Sequence, residues 1–233
     1  MKSNSFLIIG LLFFFISCAK NNTTPNNNLY LITTPGSTWQ YRLTDTTNGV
    51  GVDTLITVTS SADDTLIGGK SYHIYTNSLS PLNDYARVDK NNYYSLGYSL
   101  TLPLPGIIQM SNPKDLLYLK SDLNIGDSFI KLGTVYSKSD LNPQMSIIPI
   151  KTIYTIIEKN INKTVNNINY SNVIHVSSSS SSDFFAPNSF VNTGDFYYAK
   201  KIGLIESYTI FHIDYILSFD QHFRTTLISS DIK

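Results

Sequence analysis

The feature that most constrains the fold of this chain is a strict alternation of side-chain type close to its end. From residue 211 to residue 223 the odd positions are apolar, apart from Gln221. The even positions in the same stretch include His212, Asp214, Ser218, Asp220 and His222. A period of two places successive side chains on opposite faces of a strand. Residues 211–223 are therefore predicted to form one half-buried antiparallel strand.

Shorter alternating segments recur along the chain, separated by turn-forming residues. In the first of them Trp39, Tyr41 and Leu43 are predicted to face the core, and the intervening Gln40 and Arg42 to face solvent. Glutamate is scarce, whereas Asn, Ser, Thr and Tyr are abundant, a composition that disfavours long helices. The sequence predicts a mainly all-β fold, either an antiparallel sandwich or an open, strongly curved half-barrel, with at most one short helix.

The beginning of the chain has the composition of a secretory signal. Lys2 is followed by an apolar run from Phe6 to Ile16 that is interrupted only by Gly10. A helix that spans a membrane needs about 20 residues, so this run is too short to be one. Residues 1–17 are predicted to be a signal peptide that is removed from the mature protein.

The cysteine that follows is the only one in the chain, so it has no partner for an internal disulfide. Small residues, Ser17 and Ala19, flank Cys18. This arrangement resembles the lipobox of bacterial lipoproteins, although Phe15 stands where leucine is usual. The resemblance implies that Cys18 takes a diacylglyceryl group and acyl chains such as palmitate, which would anchor the protein on a membrane without spanning it.

Two segments are polar and low in complexity. Residues 18–35 are predicted to be a disordered polar tether that begins at the lipidated cysteine, and residues 19–28 would reach about 33 Å when fully extended. The serine run at 177–182 is predicted to be a loop. Residues 36–233 are predicted to form a single β-rich domain.

Charge and motif content exclude several functions. Lys+Arg and Asp+Glu both number 17, so no positive field would attract nucleic acid. There is no GxSxG nucleophile motif, and the "GGKS" at residues 68–71 precedes an alternating strand pattern rather than a helix, so it is predicted to be a hairpin turn. His73 and His175 stand singly in predicted strands.

Four residues offer the best metal or acid–base candidates: His212, Asp214, Asp220 and His222. If residues 211–223 form one strand, the two histidines lie about 33 Å apart and cannot bind one ion. A reversal between them is not expected, because the intervening "YILSF" lacks Gly, Pro and Asn. We therefore predict no catalytic residues, no metal ligands and no cofactor.

Aromatic residues supply a second kind of candidate site. Tyr30, Trp39, Tyr41 and the stretch from Phe196 to Tyr198 could line a cleft for carbohydrate or lipid, because flat amphipathic rings bind such ligands. Packing of these rings in a β core is the more common arrangement and is preferred here.

Three stretches resemble the recurrent framework of small envelope lipoproteins of the Bacteroidetes type: "PGSTWQYRL" at residues 35–43, "LNIGDSF" at 123–129 and "FYYAKKIGLIES" at 196–207. The resemblance implies an antiparallel β fold, including a half-barrel similar to that of periplasmic lipoprotein carriers, and implies no particular activity. Surface-exported members have acidic residues just after the cysteine. "AKNNTT" has none, which favours the periplasmic face of the outer membrane over the cell surface.

The expected function follows from these points. We expect a non-enzymatic lipoprotein, anchored in the outer membrane, with a binding or structural role in the cell envelope. Its partners would be the membrane through the lipid anchor and an envelope protein, a glycan or a lipid. The alternative is an envelope hydrolase that acts on glycan, which would need carboxylates or histidines converging in a concave site.

Three threonines match a short modification motif. Thr46, Thr54 and Thr65 each follow an aspartate and precede Thr or Leu. These tripeptides are similar to the acceptor motif of the general O-glycosylation system of Bacteroidetes. The resemblance implies that the three residues are candidate glycan acceptors, since each lies near a predicted turn where a bulky glycan is tolerated.

Replacing Cys18 with serine is expected to abolish incorporation of a fatty-acid analogue during metabolic labelling, because a serine hydroxyl does not replace the thiol in the lipid transfer. The matched control is Ser17→Ala, which keeps a small residue before the cysteine and should leave labelling intact. Absence of label on the wild-type chain would contradict the assignment of Cys18.

Overall fold

The computed structural model describes residues 29–47, 51–97, 114–139, 142–186, 189–214 and 218–233. The signal peptide, Cys18 and the tether up to residue 28 lie outside the described residues. Within the described ranges the chain forms twelve β-strands and no helix. The strands are β1 Thr38–Asp45, β2 Val52–Ile67, β3 Lys70–Asn77, β4 Ser80–Asp89, β5 Asn92–Gly97, β6 Lys114–Lys120, β7 Ser128–Ser139, β8 Asn142–Val165, β9 Ile168–Ser181, β10 Phe190–Ala199, β11 Gly203–Asp214 and β12 Ser218–Asp231.

All twelve strands belong to one antiparallel sheet in the order β6-β5-β4-β3-β2-β1-β12-β11-β10-β9-β8-β7. Each half of the chain is a six-stranded meander, and the two meanders join where β1 pairs with β12. The all-β prediction is confirmed. Of the two architectures, the curved half-barrel is observed, because the described strands form one sheet rather than two stacked ones.

The sheet curls until strands that are distant in its order touch across its concave face. Tyr118 on β6 and Tyr198 on β10 have ring centroids 5.8 Å apart. The indole Nε1 of Trp39 donates a hydrogen bond to the carbonyl oxygen of Ile202, at 2.8 Å. Lys159 on β8 donates to the carbonyl of Leu123, just after β6, at 2.7 Å. The interior contains two clusters of aromatic and aliphatic side chains, and Leu31 packs against both of them.

Alternation along β1 divides its side chains as the sequence predicts. Trp39 is 5% exposed, and Tyr41 packs against the same core cluster, whereas Gln40 and Arg42 are exposed. Turn residues also follow local rules: Gly68 and Gly69 join β2 to β3 with φ of 58° and 76°, and Asn166 and Asn167 join β8 to β9 with φ of 49° and 63°. Glycine and asparagine tolerate this left-handed region best.

The prediction of one strand over residues 211–223 is wrong. β11 ends at Asp214 and β12 begins at Ser218, and the two pair in an antiparallel hairpin. Ile213 lies opposite Phe219, and His212 lies opposite Asp220. A three-residue connection keeps odd positions on one face of both strands, so the alternation continues through the reversal and conceals it.

The predicted limits of the tether and of the serine loop also need correction. Residues 29–37, termed the strap below, cross the concave face instead of belonging to a disordered tether. Tyr30 is 7% exposed, and the hydroxyl of Tyr75 donates to the carbonyl of Ile32 at 2.8 Å. Most of the serine run lies in β9, where Ser178 and Ser180 are buried.

A polar cluster on the outer face holds the edge strand β6 to its neighbours. The carboxylate of Asp115 accepts hydrogen bonds from Lys70 at 2.6 Å, from the hydroxyl of Tyr72 at 2.9 Å and from the guanidinium of Arg87. The guanidinium also lies 3.9 Å from the ring centroid of Tyr94. Burial raises the pKa of Asp115, but the hydrogen bonds from Arg87, Lys70 and Tyr72 outweigh it, so that the pKa is lowered.

Replacing Asp115 with asparagine is expected to reduce the free energy of unfolding at neutral pH by about 2 kcal/mol, because charged hydrogen bonds are lost. A carboxylate with a lowered folded pKa stabilises the fold above its unfolded pKa, and this contribution disappears as the pH falls through the folded value. The difference between variant and wild type should therefore shrink at a pH of about 2. The measurement is denaturant unfolding followed by the fluorescence of Trp39.

The matched control for this experiment is Asp122→Asn. Asp122 is exposed in the turn after β6 and makes no hydrogen bond within the described ranges, so its replacement should leave stability nearly unchanged at both pH values. Equal stability of Asp115→Asn and wild type at neutral pH would contradict the role given to this cluster.

Candidate functional site

The concave face of the sheet contains a cavity of about 430 Å³ beneath the strap. Its lining is aromatic and aliphatic, and Asp84 and Ser95 are the exceptions among the described residues. Seven lining residues are aromatic: Tyr30, Trp39, Tyr41, Tyr75, Tyr85, Tyr118 and Tyr198. The aliphatic part consists of Leu31, Ile32, Val58, Ala86, Leu96, Ile202 and Leu204, together with Gly203.

Strand alternation and β-bulges aim these residues inward. Trp39 and Tyr41 occupy alternate positions of β1, and the register of β1 with β12 shifts between Gln40 and Tyr41. Tyr118 is the extra residue of a bulge, because Tyr93 pairs with Leu119 whereas the next residue of β5 pairs with Leu117. Bulges commonly redirect a side chain in this way. The cavity therefore depends on irregularities of the sheet as well as on its period.

Hydrogen bonds to backbone carbonyls fix several of the rings. The hydroxyl of Tyr41 donates to Leu204 at 3.0 Å, and that of Tyr30 donates to Asn172 at 3.3 Å. Trp39 and Tyr75 donate to Ile202 and Ile32, as described above. Because the polar group of each of these rings is already hydrogen-bonded, the rings offer a ligand mainly their apolar surface.

The hydroxyls of three lining tyrosines, Tyr85, Tyr118 and Tyr198, make no hydrogen bond to any described residue. Burial raises the pKa of Tyr118 and Tyr198, and neighbouring tyrosines raise it further. The same two causes raise the pKa of Tyr41. The phenols of Tyr41, Tyr118 and Tyr198 are therefore neutral near pH 7, and the hydroxyls of Tyr118 and Tyr198 are available to donate to, or accept from, a polar atom of a bound molecule.

The sequence identified part of this lining. Tyr30, Trp39 and Tyr41 of the predicted aromatic cleft line the cavity, and so does Tyr198. Phe196 and Tyr197 do not: Phe196 packs against a core cluster, and Tyr197 stacks on His175 with ring centroids 4.2 Å apart. Sequence reasoning missed Tyr75, Tyr85 and Tyr118, which come from strands whose order in the sheet is not a local property.

The hairpin of β11 and β12 brings together histidines that the spacing argument had separated. Asp220 Oδ1 lies 3.5 Å from His212 Nδ1 and 3.3 Å from His222 Nε2. Asp214, the fourth candidate, lies outside these contacts; its backbone N–H donates to Ser189 at 2.7 Å. Across the described ranges no group of three His, Cys, Asp or Glu side chains has an arrangement that could hold a metal ion.

The two histidines predicted to stand alone have close partners. His175 lies between Glu158, at 3.1 Å from Nδ1, and Asp195, at 2.8 Å from Nε2. Neither carboxylate lines the cavity. The sequence did not predict this group because its members come from three adjacent strands.

His73 lies between a serine and an aspartate, as the histidine of a hydrolase triad does. Its Nε2 lies 2.7 Å from the hydroxyl of Ser60, and its Nδ1 lies 2.7 Å from a carboxylate oxygen of Asp64. In nucleophilic enzymes a serine, a histidine and an aspartate with these contacts activate the hydroxyl for attack.

The burial of Ser60 argues against a catalytic role for Ser60, His73 and Asp64. Ser60 is 1% exposed and is absent from the cavity lining. The strap covers it, because the N–H of Ser60 donates to Ser37 and the N–H of Gly36 donates to the carbonyl of Ser60, both at 2.9 Å. A substrate carbonyl has no path to the hydroxyl, so the three side chains satisfy one another across the bulge in β2.

The glycosylation candidates occupy different settings. Thr46 follows β1, and its hydroxyl donates to the carbonyl of His222 at 3.3 Å. Thr54 lies inside β2 opposite Leu43, and Thr65 lies near the β2–β3 turn opposite Tyr72. All three are half-buried and stay predictions as acceptors. Among the described residues there is no helix long and apolar enough to cross a membrane.

Comparisons with known proteins identify the class of fold. No protein-family model matches the chain, and no curated protein matches it. A "putative exported protein with YmcC-like fold" from Bacteroides fragilis is similar in structure, with a TM-score of 0.50 and 11% identity over 88% of this chain and 99% of that one. A "putative lipoprotein" from Parabacteroides distasonis gives a TM-score of 0.49 and 12% identity over the same shares.

At this level of identity the likeness to the Bacteroides fragilis protein concerns the fold alone. The chain is an all-β protein whose single curved sheet is similar to the YmcC-like fold. The cavity and its lining are properties of this chain's own residues.

Ser60 is expected to resist a fluorophosphonate probe, which labels activated and accessible serines. Intact-mass measurement of the full chain after exposure should show no adduct. The matched test of the structural role is Ser60→Ala, which should lower the free energy of unfolding by about 1 to 3 kcal/mol because the imidazole of His73 loses its partner. A phosphonate adduct on Ser60 would overturn this interpretation and favour an esterase.

Proposed function

We propose that this chain is a lipoprotein of the bacterial outer membrane, anchored through Cys18 on the periplasmic side, which binds a small amphipathic molecule without converting it. The signal peptide, the unpaired cysteine and the polar stretch after it support the anchor. The fold is similar to that of a protein described as exported. The proposed ligand site is the cavity beneath the strap.

The observation that carries the proposal is the chemistry of the cavity wall. Seven aromatic residues surround a space of about 430 Å³, and three phenolic hydroxyls, of Tyr85, Tyr118 and Tyr198, remain without partners among the described residues. Binding sites for small molecules are commonly concave, largely apolar and equipped with a few polar groups. An apolar body would contact the ring faces, and a polar group would bond to the hydroxyls.

The position of the strap connects the site to the membrane. The strap begins at Leu29, and its residues Tyr30, Leu31 and Ile32 form part of the cavity wall. Cys18 and Leu29 are eleven residues apart, so even a fully extended backbone between them reaches at most about 40 Å. The anchor would therefore hold the cavity close to the bilayer, where amphipathic molecules are concentrated.

The hydrolase alternative finds less support. Glycoside hydrolysis uses two carboxyl groups that flank the scissile bond, about 5 to 10 Å apart. The described lining offers one carboxylate, Asp84. The sets around His175 and His212 lie outside the lining, and the set around His73 lies beneath the strap. Binding without conversion is the function that these positions favour.

The proposal is tested with N-phenyl-1-naphthylamine, a neutral dye that fluoresces in apolar sites and accepts energy from tryptophan. Trp39 is the only tryptophan and lines the cavity, so energy transfer reports occupancy. The full chain in maltoside micelles should show saturable transfer to the dye. Ser95→Phe, which places a ring inside the cavity, should raise the Kd for the dye about tenfold or more, which corresponds to about 1.4 kcal/mol.

The matched control is Ser229→Phe, the same substitution at an exposed position of β12 outside the lining. It should bind the dye as the wild type does. Transfer that never saturates, and that is equal in wild type and Ser95→Phe, would indicate dye in the micelle alone and would refute a binding cavity.

A further inference from the structure

We propose that the ligand of this cavity is an organic cation, such as a quaternary ammonium compound, whose charged group lies between the aromatic rings and Asp84. This inference rests on the proposed function and specifies the class of ligand. It begins from the balance of charge in the wall: Asp84 carries the one charged side chain in the described lining, and its charge is negative.

The negative charge of Asp84 is uncompensated within the described residues. The carboxylate is on β4, where it lies opposite Tyr75 of β3. One of its oxygens accepts a hydrogen bond from the neutral amide of Asn77 at 2.7 Å. No Lys, Arg or His forms an ion pair with it in the described part of the chain. Asp84 is exposed, so water also solvates its carboxylate, and a cation bound against the lining would pair with it at the solvent side of the cavity.

Aromatic rings beside this carboxylate add a second attraction for a cation. The rings of Trp39 and Tyr75 pack edge to face, with centroids 6.1 Å apart and an interplanar angle of 61°, and both also line the cavity. The face of an aromatic ring is electronegative and attracts ammonium groups, most strongly in a desolvated site. The chain already uses this interaction elsewhere, because Lys163 Nζ lies 3.6 Å from the ring centroid of Tyr197.

Other ligand classes fit the wall less well. An anion would meet the carboxylate of Asp84 and the faces of the rings, with no cationic side chain in the described lining to balance it. A sugar needs many hydrogen-bonding partners, yet the polar side chains available are Asp84 and Ser95, together with the hydroxyls of Tyr85, Tyr118 and Tyr198. A neutral hydrocarbon would form no ion pair with Asp84. A cation can pair with this carboxylate and also lie against the faces of the aromatic rings.

The test compares three probes of nearly equal shape and different charge: choline, the neutral 3,3-dimethylbutan-1-ol and the anionic 3,3-dimethylbutanoate. Binding is measured on the full chain in maltoside micelles, by the change in Trp39 emission and by displacement of N-phenyl-1-naphthylamine. Choline should bind about tenfold or more tightly than the alcohol, which corresponds to about 1.4 kcal/mol, and the carboxylate should bind most weakly.

Two variants assign the effect to Asp84. Asp84→Asn keeps an oxygen that can accept from Asn77, and it should weaken the binding of choline about threefold relative to that of the alcohol, which has no charge to lose a partner. Asp122→Asn makes the same change of net charge at an exposed site outside the lining and should have no effect. Denaturant unfolding followed by Trp39 emission checks that both variants are folded.

The outcomes separate this inference from the proposed function. If the alcohol or the carboxylate binds as tightly as choline, or if choline fails to displace a dye that does bind, the ligand is not a cation and the binding cavity stands. If Asp84→Asn binds choline as the wild type does, the role of the carboxylate is refuted. If the dye itself shows no saturable binding, the proposed function fails as well.

Discussion

The pairing of the first strand with the last is the interaction on which the rest of the structure depends. Residues of β1 from Thr38 to Asp45 form a ladder with β12, and this ladder joins two meanders that would otherwise be separate sheets. Because the joined sheet is wide and twisted, it curls, and β6 approaches β10. The ladder also fixes Trp39 and Tyr41 beside the β10–β11 hairpin, where Trp39 donates to Ile202 in the turn and Tyr41 donates to Leu204 in β11. The cavity forms because the β1–β12 ladder joins the two meanders so that their concave faces lie opposite each other.

The two faces of the sheet have different chemistry, and the strand period keeps them apart. Inside, aromatic rings pack around the strap, and several of their hydroxyls bond to backbone groups. Outside, carboxylates, histidines and basic side chains pair across neighbouring strands, as at Asp115 and at His212 with Asp220. The titratable groups that would suggest catalysis are thus mostly remote from the one cavity described. This separation is the physical reason for preferring a binding role.

The sequence predicted what the strand period determines. It predicted the all-β fold, the inward direction of Trp39 and Tyr41, and four of the aromatic residues that line the cavity. It failed where long-range pairing or an irregularity of the sheet determines the structure. The reversal between Asp214 and Ser218 preserves the alternation, so the sequence did not reveal it. The strap has no hydrophobic period, and Tyr118 faces inward because of a bulge. The serine run was predicted as a loop from its composition, although alternate serines can be buried in a strand that bonds on both sides.

The most direct measurement of the central claim is a crystal structure of the full chain grown with (2-bromoethyl)trimethylammonium, in which bromine gives an anomalous signal. The account predicts a peak inside the cavity, with the ammonium group against Trp39 and Tyr75 and within ion-pair distance of Asp84. Anomalous peaks confined to the outer face, or a cavity closed by its own tyrosine side chains with no room for the cation, would contradict it.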